Sequence, residues 1–112
     1  MKPFDVFTCQ PPGWDKPHPC IIVSAPARAD KKNPVEVLIC STQRASRQAE
    51  AHEVILDTAD GLDWQTLCKC DVIYAVPRND LKNRRSQVSP LRRPLLIRTL
   101  IAAHGWGEIL AG

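Results

Sequence analysis

The stretch Lys16-Pro17-His18-Pro19-Cys20-Ile21-Ile22-Val23-Ser24 decides how this chain is read. Each proline holds the residue before it extended, because its ring clashes with a helical predecessor. Ile21, Ile22 and Val23 then run on without a polar break, the pattern of a strand buried on both faces. The stretch therefore predicts a core strand, Cys20 to Val23, with a titratable ring held at its mouth.

Upstream, Phe4-Asp5-Val6-Phe7-Thr8-Cys9 partly alternates apolar and polar residues and reads as a half-buried first strand. Gln10 to Pro17 is a loop by its proline and glycine content, and it carries Trp14 as a lid on the core edge or a platform for a base. Downstream, a polar connection runs through Asn33-Pro34 to a third strand, Val35 to Cys40. Ser41-Thr42-Gln43-Arg44 closes that strand, and the polar loop continues through Gln48. His52 to Leu56 is a fourth strand, closed by Asp57 and a turn at Asp60-Gly61. In Cys68-Lys69-Cys70-Asp71, strand geometry would put Lys69 and Asp71 on one face and both thiols on the other. Val72 to Val76 extends that strand to Pro77.

The last element reads as a helix. Leu96, Leu100 and Ala103 recur at helical spacing, with Ile97 and Ile101 widening the stripe. A short turn from Ser89 followed by regular helix from Pro94 reconciles the two prolines, and Gly105 is a natural stop. Trp106, Ile109 and Leu110 are expected to fold back onto the body; the alternative is a free apolar tail that docks a partner. Short strands at near-regular intervals and one late helix predict a mainly β fold, a small, strongly bent barrel of five to seven strands with the C-terminal helix packed against it.

Length suits a single domain over residues 1–112 with one core. No run approaches the ~20 apolar residues of a membrane span, and the N-terminus lacks an apolar signal core, so the expected location is cytoplasmic with no membrane partner. Five scattered cysteines read as buried free thiols rather than a disulfide framework. The net charge of +3 is uneven: Arg78, Lys82, Arg84, Arg85, Arg92 and Arg93 face only Asp80, leaving the rest of the chain slightly acidic. That segment is a candidate polyanion surface, nucleic acid first, or a solvated loop.

Three chemistries are weighed on the residues. Zinc on Cys68 and Cys70 with His18, His52 or His104 has the wrong spacing, one intervening residue and no second pair, so no metal or other cofactor is expected. A Cys–His hydrolase lacks a local signature, and the dispersed glycines form no phosphate-cradling loop. Charged groups at strand ends fit better. RNA cleavage by its own 2′-hydroxyl needs a base, an acid and cations for the developing charge. His18, Asp71, Lys69 and a hydroxyl donor supply those parts if the strand ends converge. The plainer reading is a surface Lys69–Asp71 salt bridge and a capping histidine.

The order of these features resembles the MazF/PemK (Kid) family of bacterial toxins. His18-Pro19-Cys20-Ile21-Ile22-Val23-Ser24 matches that family's Arg-Pro-apolar-Ser strand. Cys40-Ser41-Thr42-Gln43 matches its hydroxyl-bearing strand end, Glu53-Val54-Ile55-Leu56 its next strand, and Lys69-Cys70-Asp71 its Arg-Cys-Asp. The resemblance covers nearly the whole chain. It implies an SH3-like barrel, usually a homodimer, that cleaves single-stranded mRNA without metal and leaves a cyclic phosphate. Carried over by position, the catalytic candidates are His18, Ser41, Lys69 and Asp71. The RNA-contact candidates are Trp14, Lys16, Thr42, Gln43, Arg44, Arg78, Lys82, Arg84 and Arg85. His18 stands where the family keeps an arginine, so acid–base work replaces a bidentate fork; Lys69 keeps the charge without the fork.

The leading reading is a toxin endoribonuclease. The second is a relative that binds RNA or protein without cutting. The third is a gyrase-directed toxin, since Trp106-Gly107-Glu108-Ile109 is faintly similar to the Trp-Gly-Ile ending of those toxins. The antitoxin, if any, would be an acidic or apolar peptide lying over the basic groove.

Overall fold

A computed structural model describes residues 1–112. Six strands form one antiparallel sheet: β1 Asp5–Cys9, β2 His18–Ile22, β3 Val35–Cys40, β4 Glu53–Leu56, β5 Thr66–Val76 and β6 Lys82–Gln87. Their order across the sheet is β4-β5-β3-β2-β1-β6. Three helices complete the chain, α1 Pro26–Lys31, α2 Arg93–His104 and α3 Trp106–Ala111. The expected mainly β architecture with a C-terminal helix is what forms, as a strongly bent half-barrel.

Burial on both faces explains why β2 and β3 sit at the centre. Ile21, Leu38 and Cys40 join one apolar cluster, with Val54, Leu56, Cys68, Leu96 and Leu100. Cys20, Ile22, Val35, Val37 and Ile39 join the other, against Ala29, Val76 and Leu81. Strand side chains alternate between faces, so an uninterrupted apolar run can only be satisfied by cover on both. All five cysteines are free and buried in these two layers.

The sheet bends through two register slips. Val37 pairs with Tyr74 and Ile39 with Lys69, so β3 advances two residues while β5 advances five. Such excess in one strand kinks it and re-aims its side chains. On the other side, Val6 pairs with Ser86 and Thr8 with Lys82. There Asn83 takes φ 51, a left-handed conformation that asparagine tolerates.

Four features differ from the sequence reading. The polar connection after β2 contains α1, whose one buried residue, Ala29, gives almost no periodic signal. The basic segment is not a solvated loop: Arg78–Asp80 form a 3-10 turn and Lys82–Gln87 pair with β1 as an edge strand. The second strand begins at His18 itself and ends at Ile22, since Pro19 fits at its paired position opposite Thr8. The tail after Gly105 does not fold back. It forms α3, which leaves Ile109 71% and Leu110 89% exposed. Gly105 does stop α2, with φ 65, and the turn before it closes through the Arg92 amide donating to Ser89 O at 2.9 Å. Leu96 and Leu100 are the buried stripe of α2, while Ile101 faces outward. No helix is long and apolar enough to cross a membrane.

Candidate functional site

Where the bent sheet opens, a pocket of about 290 Å³ is lined by Trp14, His18, Ser41, Lys69, Asp71 and Tyr74 over a floor of Ile39 and Cys40. It brings together all four residues singled out for catalysis. His18 arrives from the first position of β2 and Ser41 from just beyond β3. Lys69 and Asp71 stand on β5, exposed, while Cys68 and Cys70 between and beside them are 0% exposed. The alternation expected of that string is thus observed. The slip in β5 then turns Tyr74 toward the same opening.

His18 is held on two sides. Its Nδ1 lies 3.0 Å from the carbonyl oxygen of Cys40. A carbonyl can only accept, so Nδ1 carries a proton, and in the neutral imidazole Nε2 is then the nitrogen with the lone pair. The Trp14 ring meets the imidazole edge-on at 4.7 Å and Tyr74 edge-on at 5.6 Å. Trp14 is itself fixed by its loop: its amide donates to Pro11 O at 3.1 Å, and Gln10 Nε2 donates to its carbonyl at 2.8 Å. Trp14 packs on the second apolar layer, as the lid option expects, and also lines the pocket.

Ser41 Oγ accepts the Gln43 amide at 3.2 Å, which shapes the turn leaving β3 and keeps the hydroxyl proton for another acceptor. Thr66 Oγ1 donates to Ser41 O at 2.8 Å and pins the same turn from β5.

Lys69 does not pair with Asp71. Its Nζ donates to Glu53 Oε2 at 2.7 Å, and Glu53 also receives a two-pronged contact from Arg47 at 2.6 and 2.8 Å. Glu53 is 4% exposed. Hydrogen bonds from Arg47 hold its carboxyl well below the usual carboxylate range, helped by Lys69 and the Glu50 amide against the opposing effect of burial. The simple surface bridge Lys69–Asp71 is thereby replaced by a buried carboxylate shared between two cations.

A second opening of about 200 Å³ adjoins the first and shares Ser41 and Lys69 with it. Gln43 and Arg44, two of the predicted contact residues, line this groove together with Ser46 and Arg47. Arg44 lies over the Trp64 ring at 5.7 Å. Thr42 sits in the same turn, half-buried, and Lys16 is exposed on the first loop.

The basic segment lines neither opening. Arg78 donates to the carbonyls of Lys32 and Arg28 at the end of α1. Arg84 pairs with Asp5 at 3.2 Å and Arg85 with Asp63 at 2.6 Å. Lys82 is exposed on β6, at the sheet edge opposite β4. Arg47, Glu53, Trp64 and Tyr74 are neighbours of the site that sequence reasoning missed. Only Arg47 carried a signal, being a cation in the loop that follows Ser41.

Zinc ligation through Cys68 and Cys70 finds no support in their placement. Hydrogen bonds with neighbouring thiols, then burial, push both above the ordinary thiol range, and no histidine joins them. The close group of metal-capable side chains is instead Glu50, His52 and Glu53, and Glu53 is already engaged by Arg47 and Lys69.

No family model and no curated relative matches the sequence. Its fold is matched by solved structures. An endoribonuclease from a mycobacterial species, solved in complex with its cognate antitoxin, superposes with a TM-score of 0.80 at 21% identity, covering 94% of this chain and 95% of that one. The Mycobacterium tuberculosis toxin MazF-mt6 gives a TM-score of 0.76 at 22% identity, covering 90% and 96%. Another mycobacterial endoribonuclease gives 0.76 at 22%, covering 94% and 91%. At these identities the likeness establishes a MazF-like fold.

Proposed function

We propose that the chain is a MazF-type toxin endoribonuclease that cleaves single-stranded mRNA without metal in the pocket of His18, Ser41, Lys69 and Asp71. The observation that carries this reading is the convergence of those four side chains, from β2, the turn after β3 and β5, on one opening of a MazF-like fold.

The chemistry follows from the groups present. His18 Nε2 takes the proton of the ribose 2′-hydroxyl, and the freed oxygen attacks the adjacent phosphorus. The bond from phosphorus to the 5′-oxygen breaks, leaving a 2′,3′-cyclic phosphate and a 5′-hydroxyl. The leaving oxygen takes its proton from a water that Asp71 orients, and the imidazolium formed on His18 gives its proton to the hydroxide left behind. Lys69 Nζ and the Ser41 hydroxyl donate to the non-bridging oxygens, where negative charge grows. Trp14 packs edge-on against the imidazole and Tyr74 edge-on against Trp14, and the two offer a stacking face to a base.

One observation favours a second reading, a module that binds RNA without cutting: the pocket's lysine is already paired with Glu53 at 2.7 Å. Incubating the protein with single-stranded RNA in EDTA separates the two. Cyclic-phosphate fragments support the nuclease. Intact RNA with measurable binding supports the module.

A cognate antitoxin belongs to this proposal, because one of the structures with this fold is an endoribonuclease in complex with its antitoxin. A homodimer and a cytoplasmic location complete it. Sedimentation of the purified chain tests the former.

A further inference from the structure

We propose that the groove beside the reaction pocket is a second phosphate subsite for the same RNA chain, with Arg47 as its binding cation and Glu53 as the residue that positions Arg47 and Lys69. The proposal rests on RNA being the ligand, as argued above.

The groove shares Ser41 and Lys69 with the reaction pocket, so a chain leaving one enters the other. Its eight lining residues include Arg44, Arg47 and Lys69 and no carboxylate. Glu53 lies beneath, buried, and answers only part of that charge. Glu50 lies on the exposed side, 4.0 Å from Arg47 Nη1, so Arg44, Arg47 and Lys69 outweigh Glu50 and Glu53 by one positive charge. A carboxylate present only to satisfy one cation would need no second. Here it fixes two cations around a single anchor, Lys69 on both openings and Arg47 on the groove alone.

Both cations keep donors free. Arg47 uses three of its five N–H groups, two on Glu53 and one on Gln48 O at 3.0 Å. Lys69 uses one of three on Glu53. Arg47 is 45% exposed at its side chain although its anchor is fully buried. A guanidinium held by a buried carboxylate, with two N–H groups unused and its side chain lining a groove that no carboxylate lines, is preorganised for a phosphodiester. The ordering of that long side chain is complete before the ligand arrives.

The test uses the full-length protein and a non-cleavable 2′-O-methyl oligonucleotide. Arg47→Ala should weaken binding about tenfold and flatten the slope of log affinity against log salt by about 0.7, the contribution of one single-strand phosphate. Arg47→Lys should recover most of the slope. On cleavable substrates the variant's loss should fall on KM and grow from a dinucleotide to an oligonucleotide extended on both sides. An unchanged slope, or an equal loss on both substrate lengths, overturns the subsite and leaves Arg47 a structural partner of Glu53. Wild-type protein that cuts RNA in that experiment preserves the nuclease reading even as the subsite falls. Wild-type protein that neither binds nor cuts RNA overturns both.

Discussion

His18 Nδ1 donates to the carbonyl oxygen of Cys40 at 3.0 Å, tying the first residue of β2 to the last residue of β3. The bond fixes the imidazole tautomer with the backbone alone, and no carboxylate is needed to orient it. A substitution can therefore keep the anchor and remove the base. His18→Asn retains an amide donor for Cys40 O, and His18→Ala retains nothing. Both should lower cleavage by a factor on the order of 10² to 10⁴, the usual worth of a positioned base. The asparagine variant should bind RNA with near wild-type affinity. Full cutting by either variant in a timed assay would remove His18 from the reaction.

Arg78 separates a folding role from a binding role in the basic segment. Its guanidinium donates to Lys32 O and Arg28 O, and its amide donates to Asn33 Oδ1 at 2.9 Å, so it closes the carbonyl end of α1. Arg78→Ala should cost about 1.5–3 kcal/mol, the range for hydrogen bonds to a charged group. Its RNA affinity at 25 °C should match wild type. A weakened RNA affinity in a variant whose urea midpoint is unshifted would return Arg78 to the nucleic-acid surface.

Legibility in the sequence followed side-chain periodicity closely. The apolar runs of β2 and β3 and the Cys68-Lys69-Cys70-Asp71 alternation announced burial directly, because each side chain's chemistry matches its face. β6 was hidden because Lys82-Asn83-Arg84-Arg85-Ser86-Gln87 contains no apolar residue. It is an edge strand, held by its ladder to β1 and by ion pairs to Asp5 and Asp63, and edges tolerate such charge. Tyr74 was hidden for a different reason. The extra residues in β5 break the two-residue period, so nothing in the spacing relates it to Lys69. The pairing of Lys69 with Glu53 rather than Asp71 depends on registry between β4 and β5, where these two residues are direct partners. Registry is a property of two strands and is not written in either.

Gly61 is required by both its backbone and its neighbour. It follows the 3-10 turn Thr58–Asp60 with φ 86, and a Cβ there would lie 2.5 Å from Ser86 Cβ. Gly13 has the same φ with nothing within 4 Å. Gly13→Ala should therefore cost only the left-handed backbone penalty, about 1–2 kcal/mol. Gly61→Ala should add about 1–3 kcal/mol of overpacking, because β6 must shift to admit it. Urea midpoints of the two variants give the difference. Equal midpoints would mean that β6 yields without cost.

Glu53 makes stability depend on pH in a defined direction. Hydrogen bonds from Arg47, then Lys69, hold its folded-state pKa below the unfolded value of about 4.3. A depressed carboxyl contributes stability that is fully present above the unfolded pKa and is lost as pH falls through the folded one. Asp5 acts in the same sense: burial opposes ionisation, but Gln87, the Lys2 amide and Arg84 outweigh it and leave its pKa lowered. Acid should therefore destabilise the wild type progressively below about pH 4. Glu53→Gln leaves Arg47 and Lys69, both about half exposed, without their shared anion and should cost about 1.5–3 kcal/mol at pH 7, the range for lost hydrogen bonds to charged groups. Since Asp5 is present in both proteins, the difference between them isolates Glu53. That difference should hold from pH 7 to pH 5 and narrow toward pH 3, where the wild type begins to lose what the variant already lacks. Denaturant titrations at pH 7, 5 and 3 measure it. A gap of constant size across that range would show that the Glu53 charge does not hold Arg47 and Lys69 in place.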